Sequence, residues 1–170
     1  VDYAALKKLI KHSGKGVDYY VVMGTTGESP TVSGEEKKKI LEFVKKNNSR
    51  NLPIVYGIGG NNTQHVIDEI KSTDLSGVDA LLSVSPYYSK PSQEGIYQHF
   101  KAVAKASPIP VILYNIPGRT GSNISAETTL RLAAIKNIIG TKEASGNLEQ
   151  CMKIAKDMPE DFILTSGDDM

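Results

Sequence analysis

The 170 residues carry 39% hydrophobic and 23% charged side chains, enough apolar material for one globular core and too much for a disordered or fibrous chain. With 20 basic residues against 19 acidic ones the formal net charge is +1, which excludes the strong basic field of a nucleic-acid binder and fits a small uncharged or zwitterionic partner. The single cysteine, Cys151, excludes an intrachain disulfide and points to a reducing, cytoplasmic setting, while His12, His65 and His99 are too scattered for metal-ligand spacing, so no metal is expected.

In chain order, the periodicity predicts a helix from Asp2 to Ser13 and then a strand from Tyr19 to Met23, closed by the polar turn Gly24-Thr25-Thr26-Gly27-Glu28-Ser29. Ser33 followed by Glu36 forms a capping box that opens a helix from Gly34 to Asn47. A strand from Ile54 to Gly57 and a helix from Thr63 to Ser72 come next. The strand from Ala80 to Val84 leads into Ser85-Pro86-Tyr87-Tyr88, and Ser92 caps a helix from Gln93 to Ala106. The strand from Val111 to Tyr114 precedes the turn Asn115-Ile116-Pro117-Gly118-Arg119-Thr120-Gly121, after which Ser125 caps a helix from Ala126 to Ile135. A strand from Ile138 to Thr141 ends at Lys142-Glu143-Ala144-Ser145-Gly146. A helix from Leu148 to Asp157 and a strand from Phe162 to Thr165 complete the series. The longest apolar runs, such as Val78 to Val84 with Asp79 inside it, fall far short of the roughly 20 residues that cross a bilayer, so no membrane association is expected.

Six strands alternating with helices, with strand starts roughly 24 to 35 residues apart, predict a parallel sheet built from crossovers and a single domain spanning residues 1–170. Two architectures fit, an open doubly wound sheet and a (β/α)8 TIM barrel. The dinucleotide fingerprint of the open sheet is approached only by Gly57-Ile58-Gly59-Gly60-Asn61-Asn62, which fails at Asn62, where a small residue is required. A barrel needs eight strands. On that reading the chain is a partial barrel, with the first strand expected before Val1 and the last two strands and a C-terminal helical tail after Met170.

The polar clusters follow strands, where a barrel gathers its active site. Lys142 has an ordinary reading as a solvated strand end and a chemical one as an imine-forming amine, which must be desolvated or placed near positive charge to lose its proton at neutral pH. Tyr114, Tyr87 and Tyr88 fit half-buried or interface aromatics, and Thr25 and Thr26 fit a turn. Tyrosine and threonine hydroxyls in contact also make a chain able to pass protons. Arg119 fits a solvated loop charge or, through its planar fork, bidentate capture of a carboxylate.

The clusters Gly24-Thr25-Thr26-Gly27-Glu28, Pro86-Tyr87-Tyr88, Tyr114-Asn115-Ile116-Pro117 and Lys142-Glu143-Ala144 occur in this order and at this spacing, with Pro91 to Phe100 in keeping with them. Together they resemble the dihydrodipicolinate synthase family of pyruvate-dependent class I aldolases, whose superfamily includes N-acetylneuraminate lyase. The resemblance runs over essentially the whole chain. It implies a (β/α)8 barrel in which Lys142 forms a Schiff base with pyruvate, without a cofactor, and the resulting enamine attacks L-aspartate 4-semialdehyde. It further implies Tyr114 as proton donor and acceptor, linked through Thr25 to Tyr88, a tyrosine donated to the neighbouring subunit of a homotetramer built as a dimer of dimers. Thr26 corresponds to the residue that holds the pyruvate carboxylate, Arg119 to the one that receives the second substrate's carboxylate, and Gly167, in Ser166-Gly167-Asp168-Asp169, to part of another active-site loop.

Relatives inhibited by lysine carry an effector pocket to which Ser29, Asn61 and Tyr87 correspond. Pro30, Gly34, Lys37 and His65 occupy its small-residue, two histidine and glutamate positions, so weak lysine inhibition is expected. Two other readings remain: a lyase or keto-deoxy sugar acid aldolase of the same superfamily, and a non-catalytic paralogue acting as a binding or regulatory module.

Overall fold

A computed structural model describes residues 1–167, so Asp168 and Asp169 lie outside the described residues. The helices are α1 (Tyr3–Ser13), α2 (Gly34–Asn47), α3 (Thr63–Ser72), α4 (Gln93–Ala106), α5 (Pro117–Thr120), α6 (Ala126–Ala133) and α7 (Leu148–Asp157). The strands are β1 (Tyr20–Val22), β2 (Ile54–Gly57), β3 (Ala80–Val84), β4 (Val111–Asn115), β5 (Ile138–Glu143) and β6 (Ile163–Ser166). They follow one another in the sheet in chain order. A doubly wound sheet reverses its strand order at a switch point, whereas sequential βα units are the topology of part of a (β/α)8 barrel. Gly59, in the failed fingerprint, serves close packing instead: a Cβ there would stand 2.8 Å from the Val84 backbone nitrogen.

The chain divides into two compact units. The first, Val1–Gly57 with Thr73–Leu81, pairs β1 and β2 in parallel with Tyr20 opposite Ile54 and Val22 opposite Tyr56. Asp2 caps α1 by accepting from the Ala5 N–H, which moves the helix start one residue past the predicted one. The Tyr20 hydroxyl donates to the Ile10 carbonyl at 2.7 Å, and Asp79 accepts the Ile54 N–H at 2.7 Å, fixing the start of β2. Both halves of the Ser33–Glu36 capping box are formed.

The second unit, Ile58–Ser72 with the chain from Leu82 onward, pairs β4, β5 and β6 in parallel. Ile96 and Phe100 on α4 meet Leu113, Ile124, Leu132, Ile138 and Phe162 in its core. Each such side chain, fully buried, contributes about 1.5–3 kcal/mol. Ser92 and Ser125 cap α4 and α6 as their sequences predict. β5 runs two residues beyond its apolar stretch because Lys142 and Glu143 still pair with β4 and β6, so backbone pairing outlasts the hydrophobic pattern. α6 stops at Ala133, before the predicted Ile135, as its last turn tightens to an Ile135 N–H to Leu132 carbonyl bond.

His99 is 4% exposed on α4, with Nδ1 2.9 Å from the Thr63 hydroxyl and Nε2 unpartnered among the described residues. Burial lowers its pKa from 6.5 to about 4. A depressed folded-state value means that the unfolded chain takes up the proton first. The stabilisation is therefore complete above pH 6.5 and lost as pH falls toward 4, a swing of about 3 kcal/mol at most. Denaturant titrations between pH 7 and pH 4 should show that loss in the native protein and a shallower one in His99→Gln; equal slopes would show that His99 is not its source.

Candidate functional site

Parallel pairing sets Tyr114 opposite Lys142 and Asn115 opposite Glu143 at the carboxyl ends of β4 and β5. Successive strand residues point to opposite faces, so Tyr114 and Lys142 share one face while Asn115 and Glu143 share the other. The Lys142 amine lies 4.7 Å from the centroid of the Tyr114 ring. Tyr114 is buried. Lys142 is half-buried, less enclosed than a fully desolvated amine, and among the described residues no carboxylate pairs with it.

Gly167 follows β6 and donates its N–H to the Glu143 carbonyl at 2.8 Å. A Cβ at this position would stand 2.8 Å from Ala144 Cβ and 2.9 Å from Lys142 Cε. The missing side chain is thus the space through which the Lys142 chain passes.

On the other face, Glu143 is 4% exposed. Asn115 Nδ2 donates to both its oxygens at 3.0 Å, Gln150 Nε2 to Oε2 at 3.0 Å and the Ser145 N–H to Oε1 at 2.9 Å. Asn115 Oδ1 accepts from the Ile124 N–H at 2.9 Å, and Asn123 and Gln150 exchange side-chain hydrogen bonds. Burial first, and the Glu143 charge second, push the Cys151 thiol on α7 above its ordinary range. Asn115 and Glu143 stand within the sequence motifs without a role of their own there. The available signal was strand alternation, which puts a polar residue behind each of Tyr114 and Lys142.

Arg119 sits on the short α5, exposed and, among the described residues, without a carboxylate partner. Tyr88 has φ of 71° and is 88% exposed, with its backbone N–H donating to the Thr120 carbonyl at 3.1 Å. A left-handed bulky residue costs on the order of 1–3 kcal/mol, and such strain concentrates at functional positions. Asn61 Nδ2 donates to the Tyr87 carbonyl at 3.2 Å, bringing together two of the three residues that the resemblance assigns to an effector pocket. In the first unit, Thr25 and Thr26 are exposed in a 3-10 turn after β1, and Ser29 begins the next such turn. Among the described residues no helix is long and apolar enough to cross a membrane, and no three His, Cys, Asp or Glu side chains gather as metal ligands.

A model of the dihydrodipicolinate synthetase family matches residues 1–170. The chain belongs to that family. It is 57% identical over its whole length to a 4-hydroxy-tetrahydrodipicolinate synthase of Cytophaga hutchinsonii, of which the match covers 58%. A synthase of the same name from Flavobacterium psychrophilum is 56% identical over the whole chain and 59% of its own length. The crystal structure of a Bacillus anthracis dihydrodipicolinate synthase superposes with a TM-score of 0.95 at 45% identity, over 99% of this chain and 58% of that one. The chain therefore has the fold of part of that family's (β/α)8 barrel and spans just under three fifths of the relatives it matches.

Because Ala144 and the Lys142 chain both crowd Gly167, Gly167→Ala should displace the amine and slow borohydride trapping of pyruvate on Lys142 by about tenfold or more. An unchanged trapping rate, followed by intact mass, would mean that the loop yields instead.

Proposed function

We propose that the protein is a Schiff-base synthase that condenses pyruvate with L-aspartate 4-semialdehyde to give 4-hydroxy-tetrahydrodipicolinate, in diaminopimelate and lysine biosynthesis in the cytoplasm. The observation that carries this reading is the Lys142 amine held over the Tyr114 ring at adjoining strand ends. The Lys142 amine adds to the keto carbon of pyruvate and water leaves, giving an imine. Loss of a methyl proton gives the enamine, whose carbon attacks the aldehyde. The amino group of the second substrate then displaces Lys142 as the ring closes, returning the free lysine.

Tyr114 carries the protons of imine formation and release, with Thr25 and Tyr88 as the relay behind it. The exposed, strained Tyr88 suits donation to a neighbouring subunit, consistent with a homotetramer built as a dimer of dimers. Thr26 holds the pyruvate carboxylate through its hydroxyl and backbone N–H. Gly167 lines the pyruvate site, and Arg119, exposed and unpaired among the described residues, receives the carboxylate of the semialdehyde. The lysine imine performs the chemistry without a further cofactor. Names shared with relatives at 56–57% identity favour this substrate pair over the sugar-acid aldolases.

Borohydride with pyruvate should trap one adduct on Lys142 in the intact protein, and Lys142→Ala should abolish it and lower turnover with aspartate semialdehyde by roughly 10³-fold or more. An adduct without turnover of aspartate semialdehyde would point to another aldehyde; no adduct would leave a non-catalytic role.

Ser29, Asn61 and Tyr87 are a remnant of the effector pocket. With Lys37 and His65 at histidine and glutamate positions, no carboxylate at the latter meets an effector ammonium group. Initial rates should therefore fall little in millimolar L-lysine, and strong inhibition in that range would overturn the remnant assignment.

A further inference from the structure

Glu143 follows Lys142 on β5, and among the described residues every side-chain hydrogen-bond partner it has is a neutral donor: Asn115 from β4, Gln150 from α7 and the Ser145 N–H from the turn after β5. Burying a carboxylate costs several kcal/mol, and well-packed apolar residues generally stabilise a core as well or better. What an apolar residue lacks is two acceptor oxygens.

We propose that Glu143 is a positioning residue for imine chemistry, clamping the ends of β4, β5 and α7 so that Tyr114 stays registered over the Lys142 amine; this rests on the function proposed above. One peptide unit separates Asn115 from Tyr114 and Glu143 from Lys142, so a shift in either clamped side chain passes directly to its neighbour on the opposite face. The same residue holds Gly167 through its carbonyl, and Gly167 shapes the path of the Lys142 chain. The clamp therefore reaches the amine from two sides.

The acceptors cannot be replaced by an amide. In Glu143→Gln the new NH2 faces the Ser145 N–H and Asn115 Nδ2 in one orientation, or Gln150 Nε2 and Asn115 Nδ2 in the other. Donor meets donor either way, although the residue keeps its shape and the strands keep their pairing.

The test compares the intact wild type and E143Q by borohydride trapping at saturating pyruvate, exchange of pyruvate methyl protons with deuterated water, kcat and KM, and near-UV circular dichroism. In E143Q, the final extent of trapping and the KM for pyruvate should stay within about threefold of wild type, while methyl exchange and kcat fall together by about 100-fold. Exchange in E143Q within about threefold of wild type overturns the proposal. Loss of trapping and of the near-UV signal along with exchange overturns it too, reducing Glu143 to fold support. No adduct in wild type overturns the Schiff-base reading and this inference with it, whereas an adduct in wild type with an unaffected E143Q overturns this inference alone.

Discussion

Parallel pairing between β4 and β5 is the constraint on which the site depends, because its register decides that Tyr114 faces Lys142 and that Asn115 faces Glu143. Side chains alternate along a strand, so a slip of one residue would turn the amine toward the helices and bring the carboxylate onto the chemical face. Two sets of interactions oppose such a slip. Leu113 and Ile138 are anchored in the core with Phe100 and Leu132, and the polar ends are tied by hydrogen bonds between side chains of both strands.

That arrangement places opposite chemistries back to back across one sheet. One face holds an amine without a carboxylate partner among the described residues, over an aromatic ring; the other holds a carboxylate surrounded by neutral donors. An ion pair between Lys142 and Glu143 would satisfy both charges and leave no free amine. The strand pleat keeps them apart although they are neighbours in the chain, and the amides of Asn115 and Gln150 supply the hydrogen bonds that a cation would otherwise provide.

Much of this was legible in the residues. The alternation of strands and helices was read with ends within one or two residues, and the Ser33, Ser92 and Ser125 caps were read correctly because a cap depends on contacts three residues apart. Lys142 and Tyr114 stood out as polar groups ending apolar runs. The network of Asn115, Asn123, Glu143 and Gln150 was not read, because its members are spread over 36 positions and meet only when β4, β5 and α7 are assembled. Gly167 was singled out through resemblance, but its physical reason, the proximity of Lys142 Cε, lies across a strand pair.

By itself the sequence determined the repeating βα pattern, the helix caps and the identity of the groups able to do imine chemistry, since each depends on local propensity or on residue type. Tertiary structure decided which of those groups meet. The ring of Tyr114 and the amine of Lys142 are 28 residues apart in the chain and 4.7 Å apart in space, and only the register of two parallel strands, a long-range choice made by core packing, converts one separation into the other.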